Sequence, residues 1–186
     1  MPLTALDPKT AFISLDLMEG IRAFAPGDAP KAVFTAAGQL AAAFRRHGLP
    51  VILVNVDAVA PGRTETPRRV AGFPPEALKF VAELDQQPTD LVVTKKSWGA
   101  FPTTDIEKKL RDLGVTQVVL AGISTTSAVE STARQAFEAG FNVTIALDAI
   151  LDMNPEAHAA AVKFTFPRLG ETGAAADIVA LLDSTR

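Results

Sequence analysis

The 186-residue chain has no cysteine. That absence excludes disulfides, thiolate metal sites and thiol nucleophiles together. Histidine is scarce too, with His47 and His158 the only two. Asp57, at the end of a predicted strand, is a carboxylate without imidazole partners and therefore a poor transition-metal ligand set, so no metal and no cofactor is expected. The formal net charge is only −3, which offers no electrostatic footprint for nucleic acid or an anionic membrane surface. No apolar run is long enough to span a bilayer. The opening MPLTALDPKTAFISLDL lacks the basic start and apolar block of a secretory signal. The expectation is a cytoplasmic protein that acts on a small molecule. No G-x-G-x-x-G follows the first strand and no G-x-x-x-x-G-K-S/T occurs, so dinucleotide-binding and P-loop readings fail.

What is present supports one packed domain over residues 1–186. Hydrophobic residues make up 48% of the chain, enough for a full core at this length. No repeat, low-complexity tract or linker divides it. Short apolar runs at Ala11–Leu15, Val51–Val56, Asp90–Thr94, Val118–Leu120 and Asn142–Leu147 read as buried strands. Helical spacing separates them. Val33, Ala37, Leu40, Ala41 and Phe44 form one face of a helix beginning at Pro30. Arg45, Arg46 and His47 sit at its C-terminal end, which suits the dipole and explains His47 without catalysis. Pro74–Leu84 predicts a short helix. Thr104-Asp105-Ile106-Glu107 reads as a capping box before the face Ile106, Leu110, Leu113. Asn154-Pro155 starts a further helix in whose first turns His158 is expected to be exposed. A last helix is expected from about Thr172 to Leu182. Strands alternating with helices imply an α/β fold with a parallel sheet covered on both faces.

The most informative run is Gln117–Gly140, QVVLAGISTTSAVESTARQAFEAG. A strand ends at Ala121-Gly122. The hydroxyls of Ser124, Thr125, Thr126 and Ser127 follow where a helix needs its first amides capped. Val129, Thr132, Ala133, Ala136 and Phe137 then make a helical face that Gly140 closes. Such a turn gathers unpaired N–H groups at the carboxyl end of a sheet, where α/β proteins bind small anionic or carbonyl ligands. Two more polar positions fall at strand carboxyl ends. Asp16 follows Ala11–Leu15, and the Lys95-Lys96 pair follows the third strand, with Trp98 beside it as a flat wall for a ring or an apolar substrate body. The loop Ala60–Arg69 holds Arg63, Arg68 and Arg69. Arg63, next to a Pro-Gly bend, is the candidate for a substrate carboxylate.

The run Gly122-Ile123-x-Thr125-x-x-Ala128-Val129, with Thr132 and Ala133 behind it, resembles the nucleophile segment of the isochorismatase-like hydrolases of the cysteine hydrolase superfamily. Ala128 stands where most members carry the catalytic cysteine. Asp16-Leu17-Met18-Glu19-Gly20 is similar to the family's opening D-x-Q-x-G, with Met18 in place of Gln. Thr94-Lys95 through Ala100-Phe101 is similar to its lysine motif, which aligns Lys95, with Lys96 adjacent. The resemblance covers nearly the whole chain. It implies a three-layer α/β/α fold with a doubly wound, six-stranded parallel sheet in the order 3-2-1-4-5-6, and a homo-oligomer. It implies Asp16 and Lys95 as catalytic residues, the amides of Ser124 and Ala128 as an oxyanion hole, and a cis peptide at Ile123–Ser124. Arg63, Trp98 and Thr125 are expected to contact substrate. With Ala128 no thioester forms, and the turn's hydroxyls have no histidine near in sequence to activate them. Isochorismatases proper also occur without the cysteine, and the enol-ether hydrolysis that the resemblance implies starts by protonating a vinyl carbon and needs an acid rather than a thiol. Asp16 is the expected acid, acting on a small carboxylated substrate, provided that enclosure raises its pKa against the opposing charge of Lys95. The alternative is a non-catalytic or partner-binding descendant that kept the fold and lost the nucleophile.

Overall fold

The computed structural model describes residues 3–25, 27–66 and 72–185; Arg68 and Arg69, named above, lie outside them. Six parallel strands form one sheet in the order β3-β2-β1-β4-β5-β6. They are β1 Thr10–Leu15, β2 Val51–Val56, β3 Leu91–Lys95, β4 Gln117–Ile123, β5 Asn142–Leu151 and β6 Glu171–Gly173. Every residue of β1, β2 and β4 is buried, as strands covered on both faces require.

The helices are α1 Glu19–Phe24, α2 Asp28–Arg46, α3 Ile106–Asp112, α4 Glu130–Glu138, α5 Pro155–Ala160, α6 Phe166–Leu169 and α7 Ala175–Thr185. Alternation along the strands divides the core in two. Phe12, Leu53, Val119 and Ala121 pack against Phe34, Leu40 and Phe44 of α2 and Ile178 and Leu182 of α7. Ile13, Leu15, Val54, Val118 and Leu120 pack against Leu110 of α3, Ala133 and Ala136 of α4, and Phe166 of α6. Residues 12, 13 and 15 of β1 pair with 51, 52 and 54 of β2, and Thr10–Leu15 pair with Gln117–Gly122 of β4. The ends of the three central strands therefore lie side by side. No helix among the described residues is long and apolar enough to cross a membrane.

Several local expectations are corrected. β5 runs to Leu151 rather than Leu147, because an irregularity between Leu120 and Gly122 resets its pairing with β4. β6 is three residues long and none of them is fully buried, too little for a hydrophobic pattern. It occupies Glu171–Gly173, so the last helix starts at Ala175. Pro74–Leu84 folds as two 3₁₀ turns, Pro75–Leu78 and Ala82–Leu84. The capping box does not close. Asp105 makes no side-chain cap, and the Thr104 hydroxyl takes the Ile106 N–H and donates to Ala100 O. Phe137 is 47% exposed, at the edge of the α4 face it was expected to complete.

Candidate active site

Asp16 directly follows β1 in a left-handed backbone conformation, φ +58°. Aspartate tolerates that region better than most side chains. The kink takes Asp16 out of the strand's alternation. Lys95 ends β3, which is separated from β1 by β2. Two strand spacings are about 10 Å, a gap that an extended lysine and an aspartate close between them. Lys95 Nζ donates to Asp16 Oδ2 at 2.7 Å and to the carbonyl of Ser97 at 3.0 Å. Asp16 is 5% exposed and Lys95 1%. The two residues, far apart in sequence, form one buried ion pair.

Burial dominates the titration of Asp16. Desolvation pushes its pKa from the ordinary 3.8 up to about 6, against the opposing charge and hydrogen bond of Lys95. Its second oxygen, Oδ1, is buried and has no hydrogen-bond partner among the described residues.

The turn after β4 lies on the adjacent strand. Gly122 has φ +153°, and a Cβ there would lie 2.3 Å from the Leu15 carbonyl. Glycine is required for β4 to pass β1 this closely. The Ile123–Ser124 peptide is cis. Thr125–Val129 then form a π turn leading into α4, a wider turn than an α-helix makes. Thr125 and Ala128 are buried. The N–H groups of Ala128 and Val129 both donate to Ser124 O, at 3.0 and 3.2 Å. The Ala128 amide is thus already engaged within the turn, and only a shared hydrogen bond lets it serve a ligand.

Expected hydroxyl capping of this helix start does not occur. Asp152 supplies the cap from beyond β5, with Oδ2 accepting the Thr126 N–H at 2.8 Å and its hydroxyl at 2.7 Å. His158 is half-buried rather than exposed, and its Nδ1 lies 2.9 Å from Thr125 Oγ1. A histidine does stand beside the turn, although it is distant from it in sequence. Nothing in the spacing of Thr125 and His158 signals this contact, because strand pairing creates it.

Trp98 is 54% exposed. With Ala60, Ser97, Gly99, Ser131 and Gln135 it lines a cavity of about 280 Å³. Ser97 links that cavity to the ion pair through its carbonyl. Arg63 is exposed on its loop. Lys96, the neighbour of Lys95, is exposed and its ammonium forms no ion pair among the described residues. Met18, in the usual glutamine position, is fully buried and bridges to Phe80 through its backbone. No group of three His, Asp or Glu side chains among the described residues is placed to hold a metal ion. A larger cavity of about 410 Å³ opens at the opposite end of the sheet beside Gln117 and Asn142. The Gln117 side chain there is committed to Asp7, Thr10, Ala5 and Thr144.

Residues 10–177 match the model of the isochorismatase domain. The chain is 38% identical over 171 residues to the uncharacterized isochorismatase family protein YwoC of Bacillus subtilis, covering 88% of this chain and 89% of that protein. It is 38% identical over 179 residues to the uncharacterized isochorismatase family protein YecD of Escherichia coli O157:H7, covering 91% and 94%. The solved structure of an isochorismatase family protein from Burkholderia thailandensis superposes with a TM-score of 0.90 at 37% identity, over 96% of this chain and 98% of that one.

Proposed function

The chain belongs to the isochorismatase family of hydrolases and has no cysteine, and on that premise we propose that it hydrolyses an enol ether of a small carboxylated molecule with Asp16 as the acid. One observation carries this reading. Asp16 is buried against an ammonium at 2.7 Å and still has its pKa pushed up to about 6. An acid of that strength is about half protonated at pH 6 and keeps about a tenth of its population protonated at pH 7, so it can give up and regain a proton within a catalytic cycle. The proton goes to the terminal vinyl carbon. The oxocarbenium ion that forms takes water, and the resulting hemiketal collapses to a 2-oxo acid and an alcohol. No covalent enzyme intermediate is involved, which is why alanine at position 128 is compatible with turnover.

Lys95 is not the acid in this scheme. Its ammonium orients Asp16 and offsets negative charge as the carboxylate forms. Trp98 borders the cavity beside Ser97 and gives the substrate's apolar body a wall. Thr125 lies in the turn, and Arg63 on its loop supplies a guanidinium for the substrate carboxylate. The test is incubation with isochorismate and measurement of pyruvate. Turnover by the wild type and its loss in Asp16→Ala support the proposal. Equal turnover by Asp16→Ala removes Asp16 from the chemistry.

The second reading is a scaffold that kept the fold after losing the nucleophile. Met18 in the glutamine position and the engaged Ala128 amide favour it. It prevails if the protein turns over neither isochorismate nor simple amides nor ureides.

A further inference from the structure

One segment holds the turn after β4 from outside. Asp152 anchors Thr126 through both its N–H and its hydroxyl, and its other oxygen takes the Asn154 N–H at 3.1 Å. Asn154 in turn caps α5 by accepting from Glu156 and Ala157. His158, one turn into that helix, meets Thr125. Thr125 is completely buried, and His158 is its hydroxyl's hydrogen-bond partner among the described residues. Burial of Asp152 pushes its carboxyl up, but hydrogen bonds from Thr126 and Asn154 and the nearby His158 outweigh this and hold it below the usual carboxylate range. Asp152 is therefore an anion at the start of a helical turn, where the exposed amides favour one.

Such external support has a physical reason. The π turn binds two amides to one carbonyl oxygen, Ser124 O, and is followed by α4 only from Glu130. Within the turn the Glu130 N–H donates to Thr125 O, but the Thr125 hydroxyl and both the N–H and the hydroxyl of Thr126 take their partners from outside it, from two side chains of the Asp152–His158 segment.

We propose that His158 is a positioning residue for this turn: its Nδ1 accepts a hydrogen bond from the Thr125 hydroxyl, while Asp152 holds Thr126, and together they keep the turn's amides aligned for substrate. Nε2 then carries the imidazole proton toward the half-exposed side of the ring. Removing His158 leaves a buried hydroxyl without its acceptor, which the turn relieves by moving. The functional part of this inference rests on the proposed function. The positional part does not.

The experiment compares wild type, His158→Ala, His158→Asn and Thr125→Val by NMR. In His158→Ala the amides of residues 125–128 exchange about tenfold or more faster, while the amides of β1 and β4 keep their protection. His158→Asn, which returns an acceptor near the position of Nδ1, restores slow exchange. The nitrogen shifts of His158 report an Nε2–H tautomer that Thr125→Val perturbs. On any substrate turned over by the wild type, His158→Ala lowers kcat about tenfold with little change in KM, and His158→Asn recovers most of it. Unchanged exchange in the turn, an Nδ1–H tautomer, or no recovery with asparagine overturns the inference. Exchange and tautomer are read without turnover, so failure of the enol-ether reading is distinguishable from failure here.

Discussion

Lys95 Nζ lies 2.7 Å from Asp16 Oδ2, and the two side chains are 1% and 7% exposed. At this depth the desolvation of a carboxylate competes with its ion pair on equal terms. Desolvation prevails, and Asp16 titrates near 6. That balance and the close approach of β1 and β4 each have measurable consequences.

The first concerns the pH dependence of turnover. With Asp16 acting as an acid, kcat/KM on isochorismate stays level below pH about 6 and falls about tenfold per unit above it, as the protonated fraction falls. Asp16→Asn loses turnover by about 10²-fold or more. A rate that rises through pH 6 instead makes Asp16 a base and sinks the mechanism.

The second separates the lysine from the acid. Lys95→Met removes both influences that lower the Asp16 pKa. The Asp16 titration then moves upward by about one unit or more. Carbon-13 NMR of the Asp16 carboxyl checks this, with no movement as the contrary outcome.

The third is a linkage prediction. Asp16 has a higher pKa folded than unfolded, so the folded chain binds more protons between pH about 4 and 6. Its contribution to stability is fully present below pH about 4 and is lost as pH rises through about 6. The size is about 3 kcal/mol. Urea unfolding of the wild type against Asp16→Asn/Lys95→Met measures it, and the double variant shows a flatter profile over that interval.

The fourth tests the close approach. Gly122→Ala places a Cβ against the Leu15 carbonyl at a backbone angle unfavourable to L side chains. A loss of about 3 kcal/mol in urea unfolding is expected, with a change in the Asp16 titration because Leu15 precedes it. An unaltered stability contradicts the packing described here.

Much of the scaffold was legible in the chain. The apolar runs AFISL, VILVNV and QVVL are short, uninterrupted and separated by helical spacing, which is the pattern of strands buried on both sides. β6 was not legible that way, because a three-residue edge strand of half-buried residues carries no periodic signal. Helix caps were read from local hydroxyls at Ser124–Ser127 and Thr104. Asn154 does cap its own helix, but Asp152 caps the turn after β4 from the segment beyond β5.

The sequence by itself determined that no thiol takes part, that the sheet is parallel, and that Asp16, Lys95 and the Ser124–Ala128 turn stand at strand ends. These follow from composition and from short-range periodicity. Only the tertiary structure decided that Asp16 and Lys95 meet, that burial outweighs the lysine's charge, and that His158 reaches Thr125. Those outcomes depend on strand order, register and the depth of water exclusion, and these arise from contacts between residues distant in the chain.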